Sequence, residues 1–334
     1  MSSNGGLLSL ADLSLSVRGR PRLMGILRAY ADESGKAGAA HGISMGSVIG
    51  RDDQWANFNK RWPKMLAAHG IPYLHMKEVM GARFTKIGPF AQFLDIQKLD
   101  RLMIDASDCI VKSGLYCFAN AVYTDDLKRV MKRHRLNVDP YSFMLCFNVV
   151  MLGTWALNNY PADPSFHLVL DRLEKGYARV AEAERMYESD TFCSWRGWPA
   201  VTPLKQNDRV GSRQMMELQA ADLVAWSLRN ELVNIREWMR DVKPTLGARE
   251  FSEWSKSLRE WLSGKLAEQS VTYPERRAFF RPFARLADEQ RLHHYFLDEE
   301  RLEDQIIQGR VTQVNPLAMA DAIKQAGRAF PLSP

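Results

Sequence analysis

The acid at position 32 sits where a buried strand should end. An apolar run, Met24-Gly25-Ile26-Leu27, opens a strand that continues to Ala31, leads into Asp32-Glu33 and turns on Ser34-Gly35. A buried carboxylate is costly unless a cation, a helix N-terminus or hydrogen-bond donors meet it. Side chains alternate across a strand, which places Asp32 and Glu33 on opposite faces. Asp32 shares its face with Tyr30 and Ile26 and is the candidate site residue. The competing reading is a turn acid capping Ser34-Gly35. Asp171 closes the run Phe166 to Leu170, at a strand's carboxyl end, where open α/β sheets gather functional side chains; a helix N-cap is its alternative. Asp222 lies on a helical stripe between Leu218 and Trp226, with Gln219 and Ala225 alongside, while Glu217 falls about 140° away. That stripe should be buried, so Asp222 needs a partner: a metal ion or a structural salt bridge. Glu78, in Tyr73-Leu74-His75-Met76-Lys77-Glu78, shares a helical turn with His75 or faces solvent.

Acids from distant segments that converge at element ends are hard oxygen ligands. They suit Mg²⁺ or Mn²⁺ better than zinc. No serine or cysteine sits in a nucleophile elbow, and no pair of histidines has zinc-ligand spacing. Glycine motifs for a phosphate loop or a dinucleotide are absent, as is the second glycine-rich loop that an actin-like phosphotransferase needs. The four cysteines form no Cys-x-x-Cys pair and read as reduced thiols of a cytoplasmic protein.

The elements that must position these acids alternate. Strands are expected at 24–31, 42–49, 115–123, 166–170 and 199–204. Helices are expected at 54–68, 90–112, 140–158, 180–187 and 212–228. The order predicts an α/β domain whose mixed sheet is flanked by helices. Residues 1–22, rich in Ser, Gly and Leu, read as a flexible arm ahead of a domain spanning 23–229. Residues 230–334 read as a C-terminal helical extension without a convincing strand. The chain has 334 residues, 46% of them hydrophobic and 25% charged, an ordinary globular composition. Its longest apolar stretch, 143–157, is broken by Asn148 and Thr154 and reads as a buried helix, and no signal peptide is expected. No membrane partner is expected either. The net charge of +6 favours a polyanion such as DNA or RNA. A basic aromatic stretch supplies candidate backbone-binding arginines, Arg276, Arg277 and Arg281, with phenylalanines between them. An amphipathic helix with solvated arginines is the alternative.

Tyr30-Ala31-Asp32-Glu33-Ser34-Gly35, then Leu168-Val169-Leu170-Asp171, then Leu218-Gln219-Ala220-Ala221-Asp222 resembles the domain-of-unknown-function 3800 family (DUF3800). That family carries an Asp-Glu-Ser-Gly turn after its first strand and a Gln-x-Ala-Asp helix near its end. The resemblance covers residues 25–229 and implies a ribonuclease H-like fold. It implies that Asp32, Asp171 and Asp222 are catalytic metal ligands, in an arrangement that holds two metals about 4 Å apart. Glu78 matches the pattern loosely, and Lys36 stands where the family often has an acid or a small polar residue. The expected function is a Mg²⁺- or Mn²⁺-dependent nuclease or phosphodiesterase cleaving DNA or RNA. The alternative is a non-catalytic nucleic-acid- or protein-binding member of the same fold.

Overall fold

The computed structural model describes residues 27–35, 42–134, 140–160, 166–171, 215–241, 260–262, 264–265, 275–297, 299 and 302–303. The expected arm at 1–22, the helix at 180–187 and the strand at 199–204 lie outside the described residues. Five strands form one mixed sheet in the order β4-β1-β2-β3-β5. These are β1 (Leu27–Ser34), β2 (Ile43–Arg51), β3 (Tyr116–Val122), β4 (Phe166–Leu170) and β5 (Leu292–Leu297). β1 and β2 pair antiparallel, as do β2 and β3, whereas β4 runs parallel to β1 and β5 parallel to β3.

Strand alternation sorts the sheet into two faces. One face carries Leu27, Ala29, Ala31, Met45, Ile49 and Phe118 and packs on the apolar helix α5 (Pro140–Asn159). The other carries Tyr30, Val48, Cys117 and Ala119. It packs on α1 (Asp52–Ala68), α2 (Met76–Thr85), α3 (Ile96–Lys112) and α6 (Met216–Asn230). The Asp52 and Asp53 carboxylates complement the N-terminal dipole of α1. Its buried residues Trp55, Phe58, Trp62, Met65 and Leu66 recur at helical spacing. Tyr30, Trp55, Phe58 and Trp62 form a chain of ring contacts with centroids 4.8, 5.4 and 4.9 Å apart. The expected helix from residue 90 instead begins at Ile96, because the Asp95 carboxylate accepts from the backbone N–H of Gln97 at 2.9 Å and caps it there. A 3₁₀ turn, Ala91–Leu94, precedes that cap.

Two elements complete the second half of the described chain, α4 (Thr124–Arg133) after β3 and α7 (Leu232–Asp241) after α6. The expectation of helix alone beyond Asn230 is corrected by β5, which extends the sheet at its β3 edge. Its sequence Leu-His-His-Tyr-Phe-Leu lacks a clean polar–apolar alternation. Pairing with β3 and stacking of His293 on Phe118, ring centroids 4.8 Å apart, make it a strand. Burial pushes the His293 imidazole down to about 4. Helix α8 (Glu275–Asp288) lies along α3, where Arg281 and Arg285 meet Asp100 and Asp108 at 3.0 and 2.9 Å. These elements therefore share the core built by residues before 230. No described helix is long and apolar enough to cross a membrane. Cys109 and Cys117 are buried, unbridged thiols.

Candidate functional site: an acidic cluster on the α6 face

Asp32 lies on the face of β1 that α6 covers, in line with Tyr30. The parallel register between β1 and β4 ends at Ala31↔Leu170, and the Asp171 N–H donates to the Ala31 carbonyl at 3.1 Å. One step further that register sets Asp171 beside Asp32 on the same face. Asp222 reaches this face from α6, which approaches β2 very closely. A Cβ on Gly46, the residue paired with Asp32, would lie 2.3 Å from the Ala225 nitrogen. The Ser44 hydroxyl also donates to the Ala225 carbonyl at 2.7 Å. Only a glycine at position 46 lets the helix sit low enough to bring its acid to the strand end.

The charges of these acids act on one another. Burial first, and then the charges of Asp222, Glu33 and Asp171, push the Asp32 carboxyl well above the usual carboxylate range. Asp32 Oδ1 accepts from the Glu33 N–H at 2.8 Å, which opposes that shift. The sequence placed Glu33 on the opposite face, outside any site with Asp32. The structure corrects this: burial first, and with it the charges of Asp171 and Asp222, raise Glu33 to about 7 against hydrogen bonding that includes the Asp32 side chain. Glu33 lies two residues beyond the last β1–β4 pair, so β4 no longer flanks it, while β2 still pairs with it at Met45.

Asp222 is held firmly. Its Oδ2 accepts from His75 Nδ1 at 2.9 Å and from the Met76 N–H at 2.8 Å. A carboxylate has only acceptors to offer, so the contact pairs it with a proton on His75 Nδ1. Met76 opens α2, and Asp222 supplies from another helix the cap that His75 does not. The neighbouring residue on α6 secures the approach to α2: Gln219 Oε1 accepts from Trp62 Nε1 at 2.8 Å and from the Leu74 N–H at 3.0 Å. The sequence leaves His75 open as a ligand, a positioning donor or a surface residue, and the role of Gln219, which it places beside Asp222, went unread. The signal was a buried amide and a histidine flanking a buried acid, residue types that must find partners.

Glu78 stands in the first turn of α2, where its Oε2 accepts from the Tyr73 hydroxyl at 2.7 Å. The charges acting on Asp32 and Glu33 are those of Asp171, Asp222 and each other. Arg281 pairs with Asp100, and Phe280 and Phe283 are buried in the core. The expectation that these phenylalanines stack on bases is thus replaced by helix packing; the side chains of Arg276 and Arg277 lie outside the described residues. Among the described residues, no three Asp, Glu, His or Cys side chains come close enough to hold one metal ion.

No family model, curated protein or solved structure matches this chain. The chemistry of the site therefore rests on its own geometry: acids from two parallel strand ends and a crossing helix, coupled in charge, with one oriented by a histidine and a helix N-terminus.

Proposed function

We propose that this chain is a metal-dependent nuclease or phosphodiesterase of ribonuclease H-like type, with Asp32, Asp171 and Asp222 as the residues that would hold Mg²⁺ or Mn²⁺. The observation that carries the reading is the like-charge coupling of Asp32 to Asp222 and Asp171 at a buried strand end. Such a cluster is destabilising when fully ionised and needs a counter-charge. Its donors are hard oxygens, the set that suits these cations. The acids come from the first strand, from the end of its parallel neighbour and from a helix over the same face, as the family resemblance implies. Because no three acids among the described residues lie within ligand distance of one ion, binding would have to draw the carboxylates together.

When bound, a divalent cation supplies Lewis-acid stabilisation to a phosphodiester and acidifies water. The chain's own residues do the positioning. His75 Nδ1 and the Met76 N–H fix Asp222 Oδ2 and leave Oδ1 outside both contacts. The Glu33 N–H fixes Asp32 Oδ1 in the same way. The net charge of +6 fits a polyanionic substrate, DNA or RNA.

The test is Mn²⁺ binding by electron paramagnetic resonance, beside cleavage of mixed DNA and RNA substrates with and without chelator. Stoichiometric Mn²⁺ binding with chelator-sensitive cleavage is the expected result. Nucleic-acid binding without Mn²⁺ binding or cleavage would replace this reading with the non-catalytic one.

A further inference from the structure

We propose that Arg229 forms a phosphate-binding subsite two helical turns from Asp222, where it takes a neighbouring phosphate of a bound nucleic-acid strand. The identity of the anion rests on the function proposed above. The placement does not. Arg229 ends α6 seven residues after Asp222, which is about 20° away on the helical wheel and about 10 Å along the axis. The β1 strand keeps pace, because Gly35 follows Asp32 by about the same distance. The two meet: a Cβ on Gly35 would lie 2.9 Å from Arg229 Nε and 3.3 Å from its Cδ, and Gly35 has φ 112°. The turn after the acids can thus close on the arginine stem only because residue 35 is glycine.

Among the described residues the guanidinium has no ion-pair partner at this position. Its Nε is buried and makes no hydrogen bond among the described residues. Four acids lie toward the same end of the sheet, yet none offsets its charge, and burial alone lowers its pKa. A half-buried cation without a counter-charge costs stability unless an anion meets it, and with Nε covered by Gly35 the outer nitrogens of the guanidinium are the ones that can do so. A planar fork of donors selects a tetrahedral oxyanion, which it grips in bidentate fashion. The distance from Asp222 separates this subsite from the phosphate held at the acids. A strand running from the acids toward Gly35 would present its next phosphates there.

The experiment measures binding of fluorescein-labelled single-stranded DNA and RNA by anisotropy in excess chelator, as a function of salt, for the parent chain, Arg229→Gln and Arg229→Lys. Arg229→Gln is expected to bind at least about tenfold more weakly, and its log-affinity against log-salt slope should fall by about 0.7. Arg229→Lys should keep the slope and lose part of the affinity, since it keeps the charge without the fork. Because Arg229→Gln removes an unpaired half-buried cation, its melting temperature should not fall; if it does, Arg229→Lys carries the test. Unchanged affinity and slope in both variants would overturn the subsite while leaving any Mn²⁺-dependent cleavage, and hence the catalytic reading, intact. Weakened binding with no cleavage by the parent would uphold the subsite and refute catalysis. A parent chain that binds neither strand would overturn both.

Discussion

His75 Nδ1 lies 2.9 Å from Asp222 Oδ2, joining residues 147 positions apart in the chain. The contact ties the start of α2 to the middle of α6. It makes the buried acid an oriented group rather than half of an Arg or Lys salt bridge. The consequences for Asp222 differ from those of an ordinary buried ion pair.

Asp222→Asn keeps an oxygen that can accept from Met76 and His75 while removing the charge. The variant should remain folded, and its metal-free melting temperature should equal or exceed that of the parent, because Asp32 loses its strongest like-charge neighbour. Mg²⁺- or Mn²⁺-dependent cleavage should disappear. A melting temperature lowered by the equivalent of about 3–5 kcal/mol, with cleavage retained, would show a structural acid instead.

Gln219→Leu leaves the Trp62 Nε1–H and the Leu74 N–H without their common acceptor. Each buried donor left unsatisfied costs about 1–3 kcal/mol. Urea denaturation should show this loss with an unchanged m-value. Cleavage per folded molecule should fall too, since Leu74 precedes the residues that orient Asp222.

Gly46→Ala forces a Cβ to within 2.3 Å of the Ala225 nitrogen and 2.8 Å of the Ala221 carbonyl oxygen. Both are backbone atoms, so α6 must lift from β2. Overpacking of this kind costs about 1–3 kcal/mol. Because Asp222 rides on the same helix, Mn²⁺ affinity should drop along with stability. A variant that loses stability but keeps full affinity would separate helix height from the acid cluster.

The pH dependence of stability has a definite sign. Glu33 titrates at about 7 in the folded chain against an ordinary value of 4.5, and Asp32 is shifted in the same direction. Between those values the folded chain holds protons that the unfolded chain has released. Stability in chelator should therefore fall by a few kcal/mol as pH rises from about 4.5 to 7, the window set by Glu33. Glu33→Gln should flatten that slope. Saturating Mn²⁺ should raise the melting temperature more at pH 8 than at pH 5, because ionised acids bind the cation and protonated ones do not. A cation effect of equal size at both pH values would count against the acids as ligands.

Local pattern determined the strands at 27–34, 43–51, 116–122 and 166–170 and the helices at 52–68, 96–112, 140–159 and 216–230, though not the helix at 124–133, because period-two and period-3.6 spacing of apolar residues reports which side of each element is buried. It also singled out Asp32, Asp171 and Asp222, since an acid that interrupts an apolar run at an element's end is anomalous without any knowledge of its neighbours. What those acids meet was decided only in three dimensions. Glu33 is coupled in charge to acids from the end of β4 and from α6, a relation between segments that alternation along β1 does not report. His75 and Gln219 became positioning groups through hydrogen bonds that span roughly half the chain. β5 exists because β3 has an open edge, and Phe280 and Phe283 turned inward because α3 offered them a surface with acids at its rim for the neighbouring arginines. Intrinsic patterns record what a segment must bury, whereas the partner that covers it belongs to other segments. That partner becomes visible only when the tertiary fold has paid the entropy of bringing them together.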